Sequence, residues 1–212
     1  MSYTFTPKEE KVNAITHGLG ALLSLAGLVI LIVYASLHGN VWQVVSVTIY
    51  GASMLIMYLS STIVHSLKEG KTKDLFLFID HSSIYLFIAG TYTPILLVML
   101  RGTIGWTLFG VIWGVALLGI VFKIFFVHRF MVVSTLIYLA LGWFIVFIWE
   151  PLATEMATTG LVYLIVGGIL YSVGSLFYMW RGFPYHHAVW HLFVIAGSAF
   201  HFFTILFYVV LA

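Results

Sequence analysis

Apolar residues fall in seven long blocks along this chain, and short polar breaks separate them. The blocks cover residues 18–37, 41–67, 75–100, 104–127, 130–149, 161–180 and 188–212, and the breaks read HGN, KEGKTKD, RGT, HRF, EPLATEMATTG and RGFPYHH. A helix of roughly 20 mainly apolar residues crosses a bilayer, so the pattern predicts seven transmembrane helices. Blocks 41–67 and 75–100 are longer than a span needs, which predicts tilt or extension beyond the hydrocarbon. Pro94, in GTYTP, lies inside the third block and is expected to kink it. No internal repeat, low-complexity tract or long linker divides the chain, so residues 1–212 read as a single seven-helix membrane domain. The N-terminal MSYTFTPKEEKVNAITHGLGALLSL does not read as a cleaved signal peptide, because its apolar stretch is too long and lacks a small-x-small site.

Composition supports the same class. Hydrophobic residues make up 62% of the chain and charged residues 8%, against about 25% charged in a soluble domain. This is an all-α integral membrane protein. Its net charge of +2 comes from basic residues scattered between apolar blocks, which is no footprint for nucleic acid. Cysteine is absent, so disulfides and thiolate metal sites are excluded, and any metal would need histidine, carboxylate or water.

The placing of the basic residues predicts direction. With seven spans, Lys8, Lys11, Lys68, Lys71, Lys73, Lys123, Arg129 and Arg181 share one side, and only Arg101 lies on the other. The positive-inside rule then puts the N-terminus in the cytoplasm and the C-terminus outside it.

Against this frame HHAVWH, which opens the seventh block, is unusual. His187 follows Arg181 by six residues, His65 precedes Lys68 by three, and Asp80 follows Asp74 by six. At the helical rise each lies roughly 5–15 Å from the cytoplasmic charges of its own helix. Three imidazoles and a carboxylate thus reach one depth on three helices. His187 and His191, at i and i+4, share a helix face. With His65 they form the three-histidine set typical of catalytic zinc, with a fourth position for water. Asp80 could bond that water or ligate directly, and Ser61, one turn before His65, could orient water or a substrate oxygen. An aspartate inside a membrane is costly and is usually paired or functional.

The other histidines are assigned differently. His186 is expected to be solvated in the interfacial loop, and His38 and His128 to sit in solvated turns. His17 faces the same leaflet and could stand behind the ligands, but a helix-packing role is favoured. His201 lies 14 residues beyond His187, roughly 21 Å deeper, so it cannot share the ion and should bond a neighbouring helix. Glu150 and Glu155 fall in an outer loop. Trp42, Trp149 and Trp180 look like interfacial anchors, and the glycines of GLGALLSLAG and VGGILYSVG permit close helix approach.

SSTIVHS, DHSSIYLFIAGTYTP and HAVWHLFVIAGSAFHF, in that order and starting from ITHGLGA, resemble the bacterial haemolysin III proteins. These group with the progesterone and adipoQ receptors, whose relatives include the adiponectin receptors and alkaline ceramidases. The resemblance covers nearly the whole chain. It implies a seven-helix bundle in the bacterial plasma membrane, a cytoplasmic N-terminus and zinc near the cytoplasmic face. The family's S-x-x-x-H falls on Ser61 and His65, its aspartate on Asp80, and its H-x-x-x-H on His187 and His191. The loop between the second and third spans is shorter here than in the animal receptors, so direct and water-mediated ligation by Asp80 both stay open.

Two functional readings follow. In one, the protein is a zinc-dependent hydrolase of a lipid amide or ester, with Asp80 as general base and Ser61 aiding the oxyanion. In the other, zinc is structural and the protein is a membrane-state sensor or regulator. A cytolysin, as the family name suggests, would need a soluble form that seven apolar spans disfavour. Membrane lipids and a lipid-like substrate or ligand are the expected partners.

Overall fold

The computed structural model describes residues 5–127 and 129–212. His128, expected in a turn, lies outside the described residues. Seven helices are long and apolar enough to cross a membrane: α1 (Pro7–His38), α2 (Val41–Ser66), α3 (Lys71–Met99), α4 (Thr103–Phe126), α5 (Met131–Glu155), α6 (Thr158–Met179) and α7 (His186–Val210). Among the described residues there is no strand. The all-helical seven-span architecture is therefore as the sequence pattern predicts, while several boundaries differ.

The first helix starts at Pro7 rather than at residue 18. Its opening turns are polar and escape a hydropathy reading, but they are well specified. The Thr6 hydroxyl accepts from the Glu9 N–H at 3.3 Å, and the Glu9 carboxylate accepts from the Thr6 N–H at 2.8 Å. Pro7 fills the first turn, and Glu9 and Glu10 lie against the positive end of the helix dipole. Asn40 and Gln43 build the same reciprocal cap on α2.

Three spans are locally rewound, and in α7 the change is a closing π turn at Leu206–Val210. The regular α-helix of α3 ends at Pro94, and Ile95–Met99 continues as a wider π turn. Proline has no N–H to give the preceding turn, so the expected kink is met by rewinding. In α5 the α-helical turns of Met131–Gly142 tighten into a 3₁₀ stretch, Trp143–Ile148, before Trp149–Glu155 resume. A side chain inserted into the ladder explains this: the Tyr92 hydroxyl donates to the Leu141 and Gly142 carbonyls at 3.0 and 2.7 Å and accepts from the Ile145 N–H at 2.9 Å. The fifth span therefore runs past residue 149. Glu150 and Glu155, expected in a loop, are exposed residues of its last helical turns.

At the centre stands α3, with 72% of its apolar window buried, against 22% for the peripheral α4. The helix α2 packs between α1 and α3, and α7 packs on α6 and α1. Close approach uses glycine at two points that matter for the site. A Cβ at Gly20 would strike the Tyr58 ring, and one at Gly167 would strike the His201 ring. Outward faces carry large apolar residues such as Leu22, Leu118 and Phe147, as lipid contact requires.

Candidate metal centre

His65 sits in the last turn of α2, and His187 and His191 occupy the first two turns of α7. Each offers a ring nitrogen, and the three nitrogens lie within 4.8 Å of one another. Ring centroids are 5.0 Å apart for His65 and His187, 5.4 Å for His65 and His191, and 4.5 Å for His187 and His191. Ligand nitrogens at about 2.0–2.1 Å around a tetrahedral zinc stand about 3.4 Å apart, so small rotamer shifts would close the set. His65 and His191 are buried, whereas His187 is partly open to a cavity.

Hydrogen bonds decide which nitrogens face that space. His65 Nδ1 meets Glu10 Oε2 at 2.5 Å, and Glu10 Oε1 accepts from Lys73 Nζ at 2.6 Å. His191 Nδ1 meets the Thr16 hydroxyl at 2.9 Å. That hydroxyl has one proton, and the Val12 and Asn13 carbonyls at 3.0 and 2.9 Å already take it. Thr16 is therefore the acceptor and His191 Nδ1–H the donor. In both rings Nε2 is left with its lone pair for an ion, the usual arrangement of a metal-binding histidine. The donor set, three imidazoles and no thiolate, fits zinc with an open position.

His17 lies flat on His191, with centroids 3.4 Å apart and planes 16° apart, and meets Tyr58 edge-on at 5.0 Å. The packing role expected of it is what the geometry shows, although it packs on a candidate ligand. From the N-terminal end of the bundle, the Phe5 ring comes within 4.9 Å of His187 and 5.9 Å of His65.

Asp80 and Ser61 reach the same chamber. Both line the cavity, and the Ser61 hydroxyl is within reach of the Asp80 carboxylate. Asp80 is half-buried, its open side facing the cavity. It stands outside the tight three-nitrogen cluster.

The cavity holds ≈ 350 Å³. Ser61, Asp80, His187 and His191 form its head, and its apolar walls include Met57, Ile84, Ile88, Leu139, Ile165 and Val194. It follows α3 from Asp80 to Ile95, about 22 Å at helical rise, which exceeds the roughly 15 Å of hydrocarbon in one leaflet. Val146 and Trp149 line it and are also 58% and 37% exposed, so the far wall meets the lipid-facing surface. A shallower groove of ≈ 700 Å³ between α3 and α4, lined by Asp74, Phe78, Phe125 and Arg129, contains none of these residues.

Of the remaining histidines, His81, beside Asp80, and His201 also line the cavity, outside the three-nitrogen cluster. His201 Nε2 meets the Leu164 carbonyl of α6 at 3.1 Å, the inter-helix bond expected of it, and His38 is exposed. His186 departs from expectation. It is 1% exposed, and its Nδ1 lies 3.2 Å from the Phe177 carbonyl, because α7 begins at His186 and the preceding loop folds over the end of α6. Sequence reasoning also passed over Glu10, Thr16 and Lys73. A signal was present, since Glu10, Asn13 and His17 recur at helical spacing before the first apolar block.

The family profile described as "Haemolysin-III related" matches residues 5–202. A protein of Bacillus subtilis (strain 168), "Hemolysin-3 homolog", is 55% identical over 97% of this chain and 97% of its own. "Hemolysin-3" of Bacillus cereus is 54% identical over 95% and 92%. The human "Monocyte to macrophage differentiation factor" is 29% identical over 96% and 85%.

Proposed function

Since the chain belongs to the haemolysin III family and is a multi-pass protein of the cell membrane, we propose that it binds zinc and hydrolyses an amide or ester of a long-chain lipid. One observation carries this reading. Three clustered imidazoles, two of them lining the cavity, stand with a carboxylate and a hydroxyl at the head of an apolar cavity long enough for an acyl chain.

His65, His187 and His191 would hold the ion through Nε2, or through the corresponding open nitrogen of His187. Zinc, when bound, supplies Lewis acidity that polarises a carbonyl and brings the pKa of water towards about 7. The chain's own residues do the rest. The cavity takes the acyl chain, so the scissile carbonyl stops at its polar head beside Ser61 and Asp80. Asp80, outside the ligand cluster, would meet the ion through water. It is placed to accept a proton from a water at the cavity head as that oxygen adds to the carbonyl carbon, and to return it to the departing nitrogen or oxygen. Ser61 steadies the Asp80 carboxylate at rest, and its proton can turn to the carbonyl oxygen as that atom gains charge. The products are a fatty acid and an amine or alcohol.

The test is Asp80→Asn against wild type, measuring zinc content and fatty acid released from ceramide-like and phospholipid substrates. Zinc should remain stoichiometric while hydrolysis falls by about 10²–10⁴-fold. Zinc-loaded wild type that hydrolyses nothing in a broad lipid panel would transfer the reading to a sensor with structural zinc. Undiminished hydrolysis by Asp80→Asn would remove Asp80 from the mechanism.

A further inference from the structure

We infer that α1, which contributes no ligand, sets the ring geometry of the metal site through two positioning residues, Glu10 and Thr16. The inference rests on the three-histidine site proposed above and concerns what makes that site bind.

Glu10 divides its carboxylate between two helices. Oε2 takes the Nδ1 of His65 on α2, and Oε1 takes the Nζ of Lys73 on α3. An ion pair between Glu10 and Lys73 alone would leave Oε2 no reason to sit on an imidazole. Lys73 is held from the other side by Glu69 at 2.8 Å, so the carboxylate is anchored before it meets the ring. The side chain of Glu10 is 18% exposed and that of His65 is 7%, so the contact is largely shielded from water. Six residues on, Thr16 performs the equivalent task for His191, and the His17 ring stacked on His191 blocks rotation of that imidazole.

The same helix also steadies the start of α7. Tyr185 precedes His186 in a left-handed conformation, φ 62°, which costs a tyrosine energy. Its N–H is held by Glu9 Oε1 at 3.1 Å. Glu9, Glu10 and Thr16 therefore meet every chain segment that carries a candidate ligand. None of these contacts is explained by helix packing alone, since apolar side chains would pack α1 equally well.

Outer groups of this kind typically govern metal affinity by 10–100-fold. The experiment uses the purified full chain. Zinc affinity is read by competition with a chelating dye, and cobalt(II) substituted for zinc reports ligand geometry through its visible bands. Glu10→Ala should weaken zinc by about 10–100-fold and shift the cobalt bands. Glu10→Gln keeps an oxygen for Nδ1–H and should restore the bands and most of the affinity. Thr16→Val, nearly isosteric and milder for folding, should weaken zinc while leaving the unfolding midpoint of the metal-free protein unchanged. Wild-type affinity and wild-type bands in Glu10→Ala and Thr16→Val would overturn the inference while leaving the metal site standing. Weakening that Glu10→Gln does not rescue, matched by an equal loss of metal-free stability, would also overturn it. A wild type that takes up neither metal would overturn the site and this inference together.

Discussion

Removal of the proposed zinc should loosen the bundle measurably, because the candidate ligands come from two helices whose direct bonds, Tyr58 to Ser198 and Gln43 to the Val209 and Val210 carbonyls, lie away from the metal site. His65 is on α2 and His187 and His191 are on α7, and each helix packs mainly on α1 and on its other neighbour. A shared ion would be the principal tie between them at the end of the bundle where α1 begins. Free zinc at 100 times its dissociation constant stabilises by about 2.7 kcal/mol, and each further tenfold adds about 1.4 kcal/mol. For a chain of 212 residues, 1 kcal/mol moves the midpoint by about 2–4 °C. Chelation from that level should therefore lower it by about 5–11 °C. The pH dependence has a definite sign. Metal binds only neutral imidazole, so protons compete with zinc for the ligand nitrogens and its stabilisation should shrink as pH falls. The assay is thermal unfolding in detergent, with buffered zinc varied over several decades at pH 7.5 and again at pH 5.5. A midpoint that ignores both zinc and chelator at pH 7.5 would refute the reasoning. So would an equal response from a variant with His65, His187 and His191 all changed to Ala.

Other expectations are as direct. A reporter fused after Ala212 should behave as extracytoplasmic, given eight basic residues on the N-terminal side and one on the other; a cytoplasmic signal would mean a miscounted span. Gly167→Ala should destabilise by about 1–3 kcal/mol, since its Cβ would meet the His201 ring, whereas Gly110→Ala, with nothing within 4 Å, should leave the midpoint unchanged or raise it. Tyr185→Gly relieves a left-handed tyrosine and should unfold no more readily than wild type; a loss above about 2 kcal/mol would show that the tyrosine ring, not the backbone, matters there. Tyr92→Phe removes the hydroxyl that bonds the α5 backbone at three points, and amide exchange at Ile145 should accelerate while α6 is unaffected.

The fold was legible because hydropathy reports the one requirement every span shares, burial of backbone in hydrocarbon. It failed where other forces set the structure. The first eleven residues of α1 are held by a capping box and a dipole, which an apolar count does not register. The 3₁₀ turn in α5 is imposed by Tyr92 from another helix, so no local pattern in WFIVFI announces it. The three histidines, Asp80 and Ser61 could be grouped by depth, because charges at helix ends mark the interface. Glu10 and Thr16 could not be found that way. Their role depends on which ring nitrogen they meet, and depth says nothing about azimuth.

Charge accounting bears on why such a site would turn over substrate rather than serve as a brace. Imidazole ligands contribute no charge, so an ion held by His65, His187 and His191 would keep both of its positive charges. Glu10 cannot offset them, because Lys73 at 2.6 Å already matches it, and Glu69 is 81% exposed and screened by water. Glu9 is taken up by the N–H groups of Thr6 and Tyr185, so among the described residues lining the cavity Asp80 is the one carboxylate, and it offsets one. A purely structural centre gains nothing from the residual positive charge, which is costly inside a membrane. A hydrolase does gain, because the oxygen of a carbonyl at the cavity head becomes anionic only as the transition state forms. The imbalance then strengthens binding of the transition state over that of the neutral lipid, and that difference is what catalysis requires.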